Sequence, residues 1–250
     1  MYVLKKSLGQ HFLRDENIAK KIVAATLEEE PAQVLEVGSG GGALTKYFFE
    51  VPNIDFKAVE LDEEKIAYLK QKYPQLNEKI IHNSFLKITP PFENEFTIVG
   101  NFPYNISTQI LFKILDWKTQ VPTVVGMFQK EVAQRVAATP GTKVYGVLSV
   151  LVQAFYEVQY LWDVHENCFT PPPKVKSGVI KLYRKSNVEK MRSEQDFFIL
   201  VKTAFNQRRK TLRNAVKTLF DTEVLQDLLF NKRAEQLSVE DFAQLTHKMK

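Results

Sequence analysis

Val34-Leu35-Glu36-Val37-Gly38-Ser39-Gly40-Gly41-Gly42-Ala43 runs from a short apolar segment straight into a glycine-rich turn, and a helical pattern follows. Glycines at such a junction permit a tight turn and let a ligand approach the backbone closely. Gly38-x-Gly40-x-x-Ala43 fits the dinucleotide fingerprint G-x-G-x-x-G/A, although an ordinary strand-to-helix turn has the same composition. The next acid sharpens the reading. Glu60, in Val59-Glu60-Leu61-Asp62, closes the second apolar run 22 residues after Gly38. A carboxylate at that position accepts from both hydroxyls of an adenosine ribose. Enzymes of NAD and of S-adenosylmethionine both use this device, so the nucleotide's identity stays open here. Asp62 is placed to cap the helix that follows.

Outward from this unit the alternation repeats. Val34–Val37, Phe56–Val59, Lys79–His82, Phe96–Val99 and Thr123–Phe128 read as buried strands. Glu16–Leu27, Ala43–Phe49, Glu63–Tyr73, Thr108–Leu115 and Lys130–Ala138 read as the intervening helices. Such alternation predicts an α/β fold, a mostly parallel sheet with helices on both faces. Gly146–Tyr160 fits either strand or helix, and Val175–Leu182 is strand-like by its Val and Ile content. After Arg184 the pattern changes: Gln195–Phe205, Gln207–Phe220 and Ser238–Met249 read as helices, with no further strand. Two domains are therefore expected, 1–184 and a small helical 185–250. Ser238 and Asp241 are spaced as a helix N-terminal cap.

The chain of 250 residues carries 44% hydrophobic and 25% charged residues, enough for a packed α/β core and unlike a disordered chain. No apolar run approaches a membrane span, and Met1–Lys6 does not resemble the start of a signal peptide. The single cysteine, Cys168, excludes an internal disulfide framework and a multi-cysteine zinc site; no metal is expected. A cytoplasmic protein follows as the expectation. Residues 1–184 hold 21 basic against 20 acidic residues, and 185–250 hold 13 against 9. Asn167–Val188 and Lys202–Lys217 contain no acid, a clustering that suits a polyanionic partner or a solvated basic face. In the second stretch Arg209, Arg213 and Lys217 recur every fourth residue beside an apolar stripe of Leu212, Val216, Leu219 and Phe220.

Ile98-Val99-Gly100-Asn101-Phe102-Pro103-Tyr104-Asn105-Ile106-Ser107-Thr108 follows the fourth strand. Residues just past strand carboxyl ends line the crevice of an open parallel sheet. Asn101 offers a side-chain carbonyl to an exocyclic amine, Phe102 or Pro103 a backbone carbonyl, and Tyr104 a stacking face. A rigid packed loop has the same residues. A hydride-transfer apparatus is not evident: His11, His82, His165 and His247 are scattered.

Asn101-Phe102-Pro103-Tyr104 resembles the acceptor motif of amino methyltransferases in its ribosomal adenine form. Ser7-Leu8-Gly9-Gln10-His11-Phe12-Leu13, Asn167–Val175 and Ala204–Asn214 match further signatures in the same order. The chain resembles the KsgA/RsmA family of ribosomal RNA adenine N6-dimethyltransferases over nearly its whole length. The resemblance implies a Rossmann-like S-adenosylmethionine-dependent methyltransferase domain and a small all-helical C-terminal domain. It implies cofactor contacts from His11, Leu13, Gly38, Glu60 and Asn101. Ser84 stands where the family usually has an Asp that accepts from the cofactor's adenine amine, so this acceptor lacks charge assistance. Tyr104 and Phe169 are the candidate stacking faces, with Asn101 and Pro103 beside the reacting atoms. Lys174, Arg208, Arg209, Lys210, Arg213 and Lys217 are the candidate phosphate contacts to small-subunit ribosomal RNA or an assembling subunit. The protein is expected to be monomeric. Two other readings remain: a methyltransferase of large-subunit ribosomal RNA that confers antibiotic resistance, and a non-catalytic RNA-binding or transcription factor on the same fold.

Overall fold

The computed structural model describes residues 11–207 and 209–250. Ser7–Gln10 of the opening signature and Arg208 lie outside the described residues. The chain divides into two compact units. One takes the described residues to Ala133 together with Gln159–Arg184; the other takes Gln134–Val158 and Lys185–Lys250.

In the first unit the elements run β1 (Phe12–Leu13), α1 (Glu16–Leu27), β2 (Gln33–Val37), α2 (Thr45–Phe48), β3 (Asp55–Glu60), α3 (Glu63–Lys72), β4 (Ile80–His82), β5 (Thr97–Asn101), α4 (Ser107–Asp116) and β6 (Thr123–Gln129). Along the chain α5 (Lys130–Val136), α6 (Val147–Gln153) and β7 (Tyr156–Val164) follow, α6 lying in the second unit, and then β8 (Phe169–Thr170) and β9 (Ser177–Arg184) of the first. Seven strands form one sheet in the order β4-β3-β2-β5-β6-β9-β7. β4, β3, β2, β5 and β6 are mutually parallel, and β9 pairs antiparallel to β6. This is a Rossmann-like arrangement, and the strand order reverses between β2 and β5. At such a switch point the loops leaving the two strands diverge to opposite faces and open a crevice between them. β2 and β5 are buried over four residues each, as strands covered on both faces must be, which is why they read as continuous apolar runs.

Local signals fix the helix starts. Asp15 accepts from the N–H groups of Asn17 and Ile18 at 2.9 and 3.1 Å, and Asp62 caps α3 through Glu64 N–H at 3.2 Å. β9 carries Lys181, whose side chain is fully buried and ion-paired to Glu28 at 2.8 Å and Glu29 at 3.1 Å. Arg184 similarly reaches Glu95. Part of the charge that looks unbalanced along Asn167–Val188 is thus balanced through the fold, while Lys174 and Lys176 remain exposed.

The second unit contains α6, α7 (Glu194–Asn206), α8 (Leu212–Ala215) and α9 (Val239–Thr246). α7 buries Phe197, Leu200, Val201 and Ala204, one helical face, and Ser193 caps it through Asp196 N–H at 3.0 Å. At α9 Ser238 and Asp241 form a reciprocal capping box at 2.9 and 3.0 Å. Two expectations change here. Gln134–Val158 groups with the second unit, whereas the sequence reading placed it before a single boundary at 184. Its α6 is apolar over Leu148, Val150, Leu151 and Val152 and packs on α7 and α9. The expected helix Gln207–Phe220 is also not continuous. α7 ends at Asn206, Thr211 is extended, and helix resumes only over Leu212–Ala215. Leu212, Val216 and Phe220 are buried as their apolar pattern requires. Leu212 N–H donates to the distant Lys232 O at 2.7 Å, while Val216 N–H donates to Leu212 O at 3.0 Å within the short helix. Arg209, Arg213 and Lys217 therefore do not form a row on one helix.

Candidate active site

The glycine turn after β2, the acid ending β3, the loop after β4 and the acceptor loop after β5 line a single cavity within the first unit. His11, Leu13, Gly38, Glu60, Ser84, Asn101, Pro103 and Tyr104 all border it. The loops after β2, β3, β4 and β5 meet there because each leaves the carboxyl end of a neighbouring parallel strand, and the His11–Leu13 segment joins them from the two-stranded β1–β8 pair.

On one side the backbone does most of the shaping. Gly38 N–H donates to Val59 O at 2.9 Å, tying the turn to β3. Gly40 has φ +54°, and a Cβ there would lie 3.1 Å from the Phe12 ring. The turn thus needs glycine both for its left-handed backbone and for the space that Phe12 takes. Glu60 is 7% exposed, and its carboxylate accepts from Gly40 N–H at 2.9 Å, Leu61 N–H at 2.9 Å and Asp62 N–H at 3.0 Å. These donors aim it into the cavity. Leu61 beside it is 52% exposed, an apolar surface at the cavity wall. Asn83 N–H donates to Glu60 O at 3.2 Å, so the β4 loop carrying Ser84 is anchored to the end of β3. A glycine cradle, a carboxylate and an apolar face within one cavity fit an adenosine-bearing cofactor.

Glu36, one turn of strand before the glycines, is the second acid on this wall. It is wholly buried, and this desolvation raises its carboxyl to about 8 even though Thr45 hydroxyl donates to it at 2.5 Å; nearby Glu60 pushes in the same upward direction. Burial thus favours the neutral, protonated form of Glu36.

The opposite wall is made of side chains. Asn101 closes β5, and its Nδ2 donates to His11 O at 3.0 Å. That bond fixes the amide's orientation and leaves Oδ1 as the acceptor. Pro103 O is already engaged by Ile106 N–H and by Ser107 hydroxyl, both at 3.2 Å. Of the two backbone carbonyls the sequence offered, Phe102 O is therefore the better placed to accept. The Phe102 ring is 1% exposed and packs edge-on against Phe128 at 4.9 Å, pinning the loop to β6. Gly100 admits that ring: a Cβ there would lie 2.7 Å from Phe102 Cε1. A Cβ on Gly38 would lie 3.6 Å from Pro103 Cδ, so the two walls touch at this point. Tyr104 stacks on His11 with ring centroids 5.6 Å apart, and its hydroxyl bonds Ser177. Burial raises its phenol above the ordinary value.

Phe169 is a correction to the sequence reading. It is 1% exposed, packs in the core and does not border the cavity. Its strand β8 pairs with β1, Phe169 opposite Leu13, which turns the ring inward. Cys168 is a free, half-buried thiol whose pKa burial raises, and it does not border the cavity either. Sequence reasoning missed Phe12, Leu61, Asn83 and buried Lys65 on the cavity wall. Phe12 carried a signal, its place in the opening signature; Lys65 is masked by a helix pattern that reads as solvent-facing. Among the described residues no cluster of His, Cys, Asp and Glu forms a metal site. In the second unit Arg213 Nε donates to Leu225 O at 2.9 Å, a bond that holds local structure, while Arg209, Lys210 and Lys217 are exposed.

The switch-point cavity and mostly parallel sheet define a Rossmann-like methyltransferase. The family model for ribosomal RNA adenine dimethylase matches residues 1–250, and the chain belongs to that family. It is 53% identical to the ribosomal RNA small subunit methyltransferase A of Cytophaga hutchinsonii, over 97% of this chain and 96% of that protein. Among solved structures it resembles a dimethyladenosine transferase from Plasmodium falciparum, with TM-score 0.80 and 26% identity, over 94% of this chain and 96% of that one. It shares the fold of the 23S rRNA methyltransferase ErmE, with TM-score 0.72 and 21% identity, over 94% and 99% of the two chains. No helix among the described residues is long and apolar enough to cross a membrane.

Proposed function

We propose that the protein transfers methyl groups from S-adenosylmethionine to N6 of adenosines in small-subunit ribosomal RNA, giving N6,N6-dimethyladenosine. The observation that carries this reading is Asn101, whose amide His11 O orients through Nδ2 so that Oδ1 is its acceptor beside the glycine turn. Gly38, Gly40 and Glu60 would hold the cofactor's nucleoside, with His11 and Leu13 on its other side and Ser84 as a neutral acceptor for its adenine. When bound, the sulfonium supplies an already activated methyl group.

The chain's own task is to prepare the nucleophile. An adenine N6 lone pair is delocalised into the ring and points poorly out of its plane. In the first transfer Asn101 Oδ1 and Phe102 O accept the two amine hydrogens and turn the lone pair toward the methyl carbon; in the second, the one remaining hydrogen is held by one of these acceptors. Placing the pair in line can supply a large share of the barrier reduction. A strong base is not required, because the nitrogen becomes acidic once methylated and loses its proton afterwards to water. Tyr104 offers the stacking face to an adenosine that has left its helix or sits in a loop. Lys174, Arg209, Lys210 and Lys217 contact phosphates and position the RNA without reading its sequence. Arg208 remains a candidate by sequence, and Arg213 contributes through structure as much as through charge. The protein acts as a monomer in the cytoplasm.

Radiolabelled S-adenosylmethionine with under-methylated small subunits, and with large subunits in parallel, tests the proposal. Label in N6,N6-dimethyladenosine from small subunits alone is expected. Label from large subunits alone would assign the activity to a resistance enzyme, and cofactor binding without label would indicate an RNA-binding factor.

A further inference from the structure

We infer that Ser177 is a positioning residue for the acceptor side: its hydroxyl anchors the Tyr104 phenol and thereby sets the plane on which the target adenine stacks. The inference rests on the methyltransferase reading of the cavity and assigns a residue outside the acceptor motif to that site. Ser177 is 0% exposed and does not border the cavity, so it touches neither substrate nor cofactor directly. Its hydroxyl bonds Tyr104 hydroxyl across 73 residues of sequence.

A tyrosine at a cavity wall has a backbone fixed by its loop but a ring with two torsions of its own. The loop here is tight: Tyr104 opens a 3-10 turn, Tyr104–Ile106, directly after Pro103. That fixes where the ring starts and not where it points. Two contacts settle its direction. The His11 ring covers one face, with an interplanar angle of 29°. Ser177 holds the tip. Ser177 is a rigid anchor because it opens β9 opposite Gln129 of β6. The next residue, Gly178, packs so closely that a Cβ there would lie 2.5 Å from Tyr160 hydroxyl. A strand residue so placed cannot follow a ring that swings.

The contacts also close a circuit. Asn101 Nδ2 donates to His11 O, the His11 ring stacks on Tyr104, Tyr104 bonds Ser177, and His11 Nδ1 lies 2.9 Å from Pro171 O at the start of the loop leading back to Ser177. The amide that orients the amine and the ring that stacks the base are therefore held by one framework. Ser177 acts on its stacking branch.

Ser177→Ala, Tyr104→Phe and the double variant each remove hydroxyls from this one bond. Steady-state methylation of under-methylated small subunits should show each single variant losing about tenfold in kcat/KM, the size of one net hydrogen bond. The double variant should lose no more than either single one, and affinity for S-adenosylhomocysteine should stay within twofold of the parent. A purely structural role moves thermal stability but does not produce this selective, non-additive loss. Full activity in both single variants, or additive losses, would overturn the inference. A short single-stranded RNA carrying 2-aminopurine supplies an independent readout. The parent protein should quench its fluorescence by stacking, and both variants should quench less; equal quenching in all three also overturns the inference. If Ser177→Ala does not fold, Tyr104→Phe alone decides. Should the parent bind S-adenosylhomocysteine but methylate no RNA, the methyltransferase reading fails, and the quenching comparison still decides the role of Ser177.

Discussion

The two walls of the cavity are built on different principles. The wall formed by the ends of β2 and β3 is local: glycine backbone, and a carboxylate satisfied by N–H groups of its own and the neighbouring turn. The wall formed by the end of β5 depends on distant partners, Asn101 on His11 and Tyr104 on Ser177, 90 and 73 residues away. On the proposed reading the first would hold a ligand whose position must simply be reproducible, and the second would orient a weak nucleophile, each orienting group being locked by a residue from another part of the chain. Binding and chemistry should therefore separate by wall when each is disturbed.

The sharpest break is expected at Asn101. Asn101→Ala should lower kcat by about a hundredfold or more, the usual cost of losing one preorganised polar contact at a reacting centre. Affinity for S-adenosylhomocysteine should change far less, and normal turnover would remove the proposed mechanism. Across the cavity Glu60→Gln should do the reverse. Calorimetry should show cofactor affinity falling roughly tenfold to a hundredfold, as when a charged hydrogen-bond acceptor is lost, with saturated turnover much less affected.

Glu36 sharpens the contrast between the two acids of the local wall. Burial raises its carboxyl from the ordinary 4.5 to about 8. Between those values the folded protein keeps a proton that the unfolded chain has lost, so this group favours the folded state less and less as pH rises toward 8. Melting temperature should decline across that window, and Glu36→Gln should flatten the decline. An unchanged slope would mean that Glu36 ionises freely in the folded state. The smallest effect concerns the exposed cations. Arg209→Glu with Lys217→Glu should raise the KM for RNA by about threefold to tenfold and make its salt dependence shallower, since fewer counterions are released.

The same division explains what could be read in advance. The glycine turn, Glu60 and Asp62 are legible because each is set by residues near it in sequence, and the strand–helix alternation showed that the sheet would be mostly parallel, though not its strand order. The acceptor loop was legible as a motif, but neither the bond that orients Asn101 nor the choice of Phe102 O over Pro103 O is encoded nearby. Phe169 was misread because an aromatic beside three prolines looks the same whether it faces a cavity or a core; pairing with β1 decides it. Gln207–Phe220 failed for a related reason. Its apolar spacing is real and Leu212, Val216 and Phe220 are buried, but the helix is broken before Leu212, whose N–H is taken by the distant Lys232 O. Lys181 shows the limit of charge counting, since its partners Glu28 and Glu29 lie some 150 residues earlier.

The division of the chain into units has a consequence for synthesis. The first unit is not closed until β9 has been made, because that strand lies between β6 and β7 in the sheet. The second begins at Gln134, before the first is finished, and is completed only by the C-terminal helices. A nascent chain released at Arg184 would carry α6 with its apolar face uncovered, and a separately expressed 185–250 fragment would lack the helix that packs on α7 and α9. Neither piece should behave as a module, so the protein is expected to mature as a whole, late in translation, rather than domain by domain.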